Sequence, residues 1–158
     1  MSDKRIIENI DALAAWAGRE VACSDWIAID QQRIARFAEV TGDEQWIHVD
    51  SERAARESPY KTTIAHGYLT LSLLPSLFTS CLRIDGIGMA LNYGLDRVRF
   101  PAPALAGQRV RGRLVLEKLD AVAGGSQAHW TATIEIEGSD KPACVAQMLI
   151  RYYPEQLS

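Results

Sequence analysis

The chain has 158 residues, of which 47% are hydrophobic and 23% are charged, and its formal net charge at pH 7 is −3. This length suits one domain, spanning residues 1–158, with a sizeable core, and the composition is ordinary for a globular protein. The slightly negative charge argues against nucleic acid or an anionic membrane as a partner. The three cysteines lie far apart with no Cys-x-x-Cys spacing, so neither a disulfide framework nor a zinc site is predicted.

The N-terminal stretch MSDKRIIENIDAL is too charged, and its apolar part too short, for a signal peptide. No run of about 18 apolar residues occurs, which argues against a membrane span. We therefore expect a cytoplasmic protein that has no membrane partner.

The first half of the chain predicts short helices and a strand. Apolar residues recur at helical spacing over residues 6–16, and residues 21–29 have strand character. Asp30 can cap a second helix by accepting from its first free amides, and Gly42 suits a left-handed position at the end of that helix. A short helix is predicted over residues 52–56.

The second half predicts one buried helix followed by strands. Residues 66–82 form the longest apolar run and predict a central helix, which Pro75 should bend by removing a backbone donor. From residue 87 the pattern has period two, with a bulge expected near Gly94, and it predicts four consecutive antiparallel strands. The expected class is α+β, with a sheet curled round the helix and a face or edge left for a partner subunit.

Four residues, from the end of the second helix into the central helix, could carry chemistry. Asp43 and His48 lie five residues apart and could act as an acid/base pair, or they could be a turn cap and a loop histidine. Gly67, after His66, could leave amides open to a developing oxyanion, or it could allow only close packing while His66 caps the helix. Ser72 could contact substrate or be a small polar residue at a helix contact.

Other polar patterns are less specific. Arg109, Arg111 and Arg113 could hold phosphates, but a solvated strand face paired with Thr131, Thr133, Glu135 and Glu137 is the simpler interpretation. His129 on the same face is expected to be exposed and inert. A metal held by His48, His66 and a carboxylate matches no usual spacing, so we expect no metal and no other cofactor. No Gly-x-Ser-x-Gly motif occurs, and no cysteine lies beside a histidine.

Three motifs together resemble a known family. They are TGDEQWIHVD, then TIAHGYLTLSLLP, then NYGLDRVRFPAP. They resemble the MaoC-like dehydratases, and more narrowly the subgroup of nodulation-protein-N-like and mycobacterial (R)-specific enoyl-CoA hydratases. The resemblance runs from about Phe37 to Pro103, and the order of elements agrees to the C-terminus.

The resemblance implies a hot-dog fold, in which the antiparallel sheet wraps the long helix, and a homodimer. It implies reversible syn hydration of a trans-2-enoyl thioester, carried by CoA or an acyl carrier protein, to an (R)-3-hydroxyacyl thioester. The family's Asp-x4-His dyad falls on Asp43 and His48, its oxyanion-hole glycine on Gly67, and the serine that orients the dyad on Ser72. Arg97 and Arg99 are candidates for contacts with the phosphates of the thioester carrier.

One departure and two rival functions remain. The wider family has Asn-Pro where this chain has Gln45-Trp46, which bears on the shape of the acyl pocket. A hot-dog thioesterase often places an acidic residue on the central helix, whereas residues 66–84 of this chain contain no acidic residue. A non-catalytic acyl-thioester-binding subunit would not need the intact set of Asp43, His48 and Gly67.

Overall fold

The computed structural model describes residues 4–155, so the ends of the expected domain, residues 1–3 and 156–158, lie outside the described part. Short elements come first and long strands last. In chain order they are β1 (Arg5–Ile7), α1 (Ile10–Ala14), β2 (Arg19–Cys23), β3 (Ile27–Ala28), α2 (Gln31–Thr41), α3 (Trp46–Val49), α4 (Ser51–Glu57), α5 (Gly67–Ser72), α6 (Leu74–Cys81), β4 (Leu82–Ile84), β5 (Ile87–Arg99), β6 (Arg109–Val122), β7 (Gly125–Ile136) and β8 (Cys144–Pro154).

The long strands form one antiparallel sheet of six strands, in the order β2-β6-β7-β8-β5, with β3 also paired to β6. The prediction that all consecutive strands pair is wrong at one step, because β5 pairs with β8 and not with β6. The segment between β5 and β6 instead crosses the end of the sheet, with Ala65 N–H bonded to the Ala104 carbonyl at 2.8 Å. This topology leaves β5 at one edge of the sheet.

The first predicted helix is also wrong in part. Residues 5–7 form a strand parallel to β4, and the helix covers only Ile10–Ala14, because Asn9 caps it by accepting from Ala12 N–H at 2.8 Å. The predicted strand over residues 21–29 is divided between β2 and β3. The Ser24 amide donates to the Gly112 carbonyl, and the Ser24 hydroxyl accepts from the Gly112 amide. These bonds to β6 lie between β2 and β3 and interrupt the regular pairing of the strands.

The predicted central helix is two helices. α5 ends at Ser72 and α6 begins at Leu74, with Pro75 in its first turn. Proline has no N–H to donate to the carbonyl of Leu71, so the hydrogen-bond ladder breaks just before it. α6 packs on the sheet where Gly112 lies, since a Cβ there would come within 3.1 Å of the Leu77 Cβ.

The core lies between these helices and the concave face of the sheet. The predicted alternation is confirmed from Val110 to Leu116 of β6 and from Ala128 to Ile136 of β7, where every second residue is buried. Trp130, 1% exposed, meets the ring of Phe78 edge-on with 5.0 Å between centroids. Asp30 and Gly42 cap α2 as predicted, Gly42 with a φ of +76°.

The other face of the sheet is a ladder of ion pairs, as predicted. Arg109 pairs with Glu137 at 3.0 Å, and Glu135 accepts from Arg111 at 2.6 Å and from Arg113 at 3.0 Å. The expectation that His129 is exposed is wrong: its side chain is only 20% exposed, and its Nε2 lies 2.9 Å from Asp120 Oδ2.

Within residues 4–155, no helix is long and apolar enough to cross a membrane.

Candidate active site

Asp43 lies directly after the left-handed Gly42 that ends α2. Its side chain is exposed, while its main-chain carbonyl is 2.9 Å from Nε2 of His66, 23 residues further along the chain. The left-handed glycine turns the chain away from the helix axis at this point. The carboxylate therefore projects from a turn that is held to the start of α5.

His48 is in the single-turn helix α3 and is only 6% exposed. Its Nδ1 is 2.7 Å from the Ile64 carbonyl, and its own carbonyl accepts from Gln31 Nε2 at 2.8 Å. Gln31 Oε1 in turn accepts from the hydroxyl of Thr63. A carbonyl can only accept, so the proton is on Nδ1 and the Nε2 lone pair of neutral His48 is free.

Burial is the main influence on the ionisation of His48. It lowers the pKa of the imidazole, because a charged ring loses solvation there. The bond to Ile64 and the carboxylate of Asp43 act in the opposite direction, and His66 adds to the lowering. His48 is therefore held neutral, as a proton acceptor, over more of the pH range than a free histidine.

His66 completes the polar cluster, and the sequence did not predict its contact with His48. It is 3% exposed, and its ring stacks on that of His48 with 3.8 Å between centroids and 24° between planes. It is the N-cap residue of α5, as the cap interpretation predicts, but its side chain makes no capping bond. Its position directly before Gly67 was the available signal, but spacing does not reveal a stack between residues 18 apart in sequence.

Three polar side chains lie close together in this cluster. An oxygen of Asp43 and one ring nitrogen each of His48 and His66 lie within 4.8 Å of one another. Because a hydrogen bond to water spans about 2.8 Å, one water molecule can bridge two atoms at most 4.8 Å apart. The separation of Asp43 and His48 therefore suits a bridging water.

The same three residues are a less suitable set for a metal ion. A metal binds an imidazole nitrogen in the plane of the ring, at about 2.1 Å. The planes of His48 and His66 are nearly parallel, 24° apart, so an ion in one plane lies well outside the other. A hydrogen bond to water tolerates such an angle better than a coordination bond does. That the site works without a metal stays a prediction.

Gly67 begins α5 beside this cluster. A Cβ at this position would lie 2.9 Å from Cδ2 of Phe100, closer than real Cβ contacts come. The Phe100 ring also meets Tyr68 edge-on, with 6.2 Å between centroids. Glycine is therefore required by the close approach of an aromatic ring, in agreement with the close-packing interpretation; the oxyanion role stays a prediction.

Ser72, at the end of α5, is exposed and lines an open cavity of about 720 Å³. Among the described residues its hydroxyl makes no hydrogen bond to Asp43 or His48, so the expected orienting contact is not formed. The cavity lies between the two central helices and strands β5 and β8. Its walls are mostly apolar and include Leu71, Leu74, Phe78, Leu95, Met148 and Ile150.

Trp46 lies away from this cavity. The guanidinium of Arg53 stacks over its indole at 4.4 Å from the ring centroid, and Trp46 is not among the residues that line the cavity. This bulky side chain, two residues before His48, therefore packs against Arg53 of α4. The departure at Gln45-Trp46 does not reshape the cavity wall.

Comparison with known proteins agrees with this geometry. The chain is 50% identical over 149 residues to 3-hydroxyacyl-thioester dehydratase Z of Mycobacterium tuberculosis, covering 94% of this chain and 98% of that protein. It is 49% identical over 135 residues to Nodulation protein N of Rhizobium leguminosarum bv. viciae, covering 84% and 83%.

A solved structure shows the same architecture. R-hydratase PhaJ1 from Pseudomonas aeruginosa superposes with a TM-score of 0.71 at 20% identity, over 90% of this chain and 87% of that one. The antiparallel sheet with α5 and α6 on its concave face is thus the predicted hot-dog fold. The model of the MaoC like domain matches residues 13–138, and the chain belongs to this family of dehydratases.

Proposed function

We propose that the chain catalyses the reversible addition of water to a trans-2-enoyl thioester, giving an (R)-3-hydroxyacyl thioester, and so is a hydro-lyase. The observation that carries the proposal is that an oxygen of Asp43 and a ring nitrogen of His48 lie within 4.8 Å, a separation that one water molecule can bridge. The name of the relative that is 50% identical, a 3-hydroxyacyl-thioester dehydratase, supports the same reaction.

The reaction needs a base for water and an acid for the α-carbon on one face of the substrate. The water donates one hydrogen bond to Asp43 and the other to Nε2 of His48, while Nδ1–H of His48 stays bonded to Ile64. Its oxygen forms a bond to the β-carbon as the dyad takes up one proton. The dyad then returns one proton to the α-carbon, so it ends in the state in which it began.

Negative charge develops on the thioester oxygen between these two steps. The main-chain amide of Gly67 is proposed to donate to this oxygen, and no Cβ obstructs its approach. Such a donor contributes about 10²–10³ to the rate of an acyl-transfer enzyme. We retain Ser72 as a residue that orients the reacting groups when substrate is bound, supported by its place in the wall of the cavity.

The cavity beside Ser72 is proposed to receive the acyl chain, because its walls are largely apolar. Purified protein is expected to remove the conjugated enoyl absorbance of crotonyl-CoA or of a longer enoyl-CoA. A series of chain lengths tests the reaction and measures the pocket together. Absence of hydration for every length, with folded protein, would overturn the proposal.

The two rivals predict different products from the same assay. A thioesterase releases free thiol from acyl-CoA, and a non-catalytic subunit leaves enoyl-CoA unchanged while binding it. The central helices α5 and α6, residues 67–81, contain no acidic residue of the kind that many hot-dog thioesterases use. We therefore expect hydration without release of thiol.

A homodimer is proposed through strand β5. This edge strand exposes Met89, Leu91, Tyr93 and Leu95 by 44–54% each, and a long apolar edge is unfavourable in water. Light scattering should give twice the chain mass, and Leu91→Lys combined with Tyr93→Lys should give the monomer. Val40→Lys on α2, at a residue that is 84% exposed, is the matched control and should stay dimeric.

The thioester carrier and the compartment are the remaining parts of the proposal. Arg97 and Arg99, both exposed at the end of β5, are proposed to contact phosphates of CoA or of an acyl carrier protein. Cys81 and Cys144 are buried thiols, and burial raises the pKa of each to about 11. Unreactive, unpaired thiols of this kind suit the reducing conditions of the cytoplasm.

A further inference from the structure

His66 has no part in the hydration scheme above, although it lies inside the site. Its ring is packed between His48 and Phe37, whose centroids are 3.8 and 4.9 Å away. Only 3% of the residue is exposed. A polar ring so fully buried between two others is expensive unless its nitrogens are used.

The use of Nε2 is clear. It lies 2.9 Å from the main-chain oxygen of Asp43, and because a carbonyl only accepts, the proton is on Nε2. Nδ1 is then an acceptor, and it is buried without a hydrogen-bond partner among the described residues. The tautomer of His66 is thus opposite to that of His48, whose proton is on Nδ1.

His66 also holds Asp43, a residue that is distant from it in sequence. The Asp43 side chain is exposed, and among residues 4–155 its one hydrogen bond to a distant residue is the bond that its carbonyl accepts from His66. Gly42, the residue before it, ends α2 in a left-handed conformation and bonds back to Ala38, so the bond to His66 is what ties Asp43 to the start of α5. Removing the donor frees the turn that carries the carboxylate.

The same ring sets the orientation of His48. Its face-to-face stack limits rotation of the His48 imidazole, while the bond to Ile64 fixes the position of Nδ1. One side chain therefore contacts both members of the dyad, on two segments of the chain. Gly67 follows it directly in sequence, so the proposed oxyanion donor begins from the same anchor.

We propose that His66 is a positioning residue, which holds the Asp43 carbonyl and the His48 ring so that one water meets both members of the dyad. This role rests on the proposed hydration reaction. It acts through the Nε2–H donor and the stacked face, not through contact with substrate. A misplacement of about 1 Å in such a constellation can cost about 10²-fold in rate.

Two substitutions separate the donor from the stack. His66→Phe keeps an aromatic face against His48 and Phe37 but removes the donor to Asp43. His66→Gln loses the ring but carries an amide nitrogen about as far along the side chain as Nε2. We expect His66→Phe to lower kcat by about ten- to a hundredfold with KM little changed, and His66→Gln to recover part of that loss.

Stability needs a control, because His66 is buried. Ile134→Val, in the core of β7 and 0% exposed, should lower the thermal midpoint without changing kcat. If both His66 variants keep wild-type kcat, the positioning role is wrong while the hydration proposal stands. If they lose kcat only in proportion to the folded fraction, His66 is structural and the role is again wrong.

A measurement without substrate tests the inference even if the protein hydrates nothing. Nitrogen-15 NMR of the imidazoles should show the protonated nitrogen of His66 at Nε2 and that of His48 at Nδ1. In His66→Phe the His48 resonances should broaden or shift, as its environment becomes less defined. A His66 signal with the proton on Nδ1, or His48 resonances unchanged in His66→Phe, would contradict the proposed contacts.

Discussion

The protein pairs an aspartate with a histidine in two places, and the two pairs differ in almost every other respect. On the sheet surface, His129 Nε2 lies 2.9 Å from Asp120, which also accepts from Lys118 at 2.6 Å. In the candidate site, His48 is bonded to a main-chain carbonyl, and a second imidazole lies against it. The members of the surface pair contact each other directly, whereas in the site a buried histidine and an exposed aspartate make no direct hydrogen bond.

This difference indicates what makes such a pair useful for catalysis. In the surface pair, Asp120 Oδ2 lies 2.9 Å from Nε2 of His129, so each group already satisfies the other. In the site, Nδ1 of His48 is occupied by Ile64, so Nε2 is left for a reacting molecule. The backbone carbonyl of Ile64, rather than the aspartate, accepts the hydrogen bond of His48 Nδ1.

The largest expected effect comes from breaking each pair in the same way. Asp43→Asn and His48→Gln should each lower kcat for hydration by about 10²–10⁴, because a general acid or base is lost. Asp120→Asn and His129→Gln are the matched controls, since surface ion pairs contribute little, and they should keep wild-type kcat. Steady-state hydration of enoyl-CoA measures all four, with circular dichroism to confirm the fold.

The outcome would refute the assignment if the surface pair proved to be the sensitive one. Full activity in Asp43→Asn or in His48→Gln would equally remove that residue from the dyad. Equal losses in all four variants would indicate a general loss of structure, which the thermal midpoints would reveal.

A smaller effect is expected from Gly67, where the site meets an aromatic ring. Gly67→Ala puts a methyl group 2.9 Å from Phe100, so either the ring or the start of α5 must move. The amide remains but is displaced, and we expect kcat to fall by about tenfold, less than the 10²–10³ for complete loss of such a donor. Initial rates at saturating enoyl-CoA measure the change.

Two further variants make this prediction specific. Gly112→Ala is the control for crowding away from the site, since a Cβ there would lie 3.1 Å from the Leu77 Cβ; it should lower stability without changing kcat. Adding Phe100→Leu to Gly67→Ala should recover activity by giving the methyl group room. If the double variant is no better than Gly67→Ala, the clash with Phe100 is not the cause.

The sequence predicts a structural feature when the residues that form it are close together along the chain. Asp30 and Gly42 act on residues up to four positions away, so the sequence alone predicted both caps of α2. The hydrogen bonds of His48 join it to Gln31, 17 residues before it, and to Ile64, 16 residues after it. No periodicity carries such contacts, and the family resemblance supplied them only as a motif.

The sequence-based errors have the same origin. His129 was expected to be exposed because its neighbours on the strand are polar, but Asp120 comes from the paired strand β6 and covers it. The role of His66 was missed because its partners are Asp43 and His48, across a loop. In both cases the neighbouring residues in sequence are polar, but a partner from elsewhere in the fold determines what the histidine contacts.

The smallest expected effect is a displacement along the pH axis. Burial lowers the pKa of His48 from its ordinary value of 6.5, so the acid limb of kcat/KM should lie below pH 6.5. The limb should be absent from the residual activity of His48→Gln and unchanged in His129→Gln. A limb at or above pH 6.5 would mean that His48 is not the titrating base.

The same shift makes a prediction about stability, with its sign set by linkage. Below pH 6.5 the unfolded chain binds a proton at His48 before the folded chain does, so the free energy of unfolding falls as pH decreases. The loss begins near 6.5 and ends at the lowered pKa of the folded state, below which both states are protonated. Urea unfolding at several pH values should show this slope, and His48→Gln should remove that residue's share of it, whereas His129→Gln, on the exposed sheet face, should retain it.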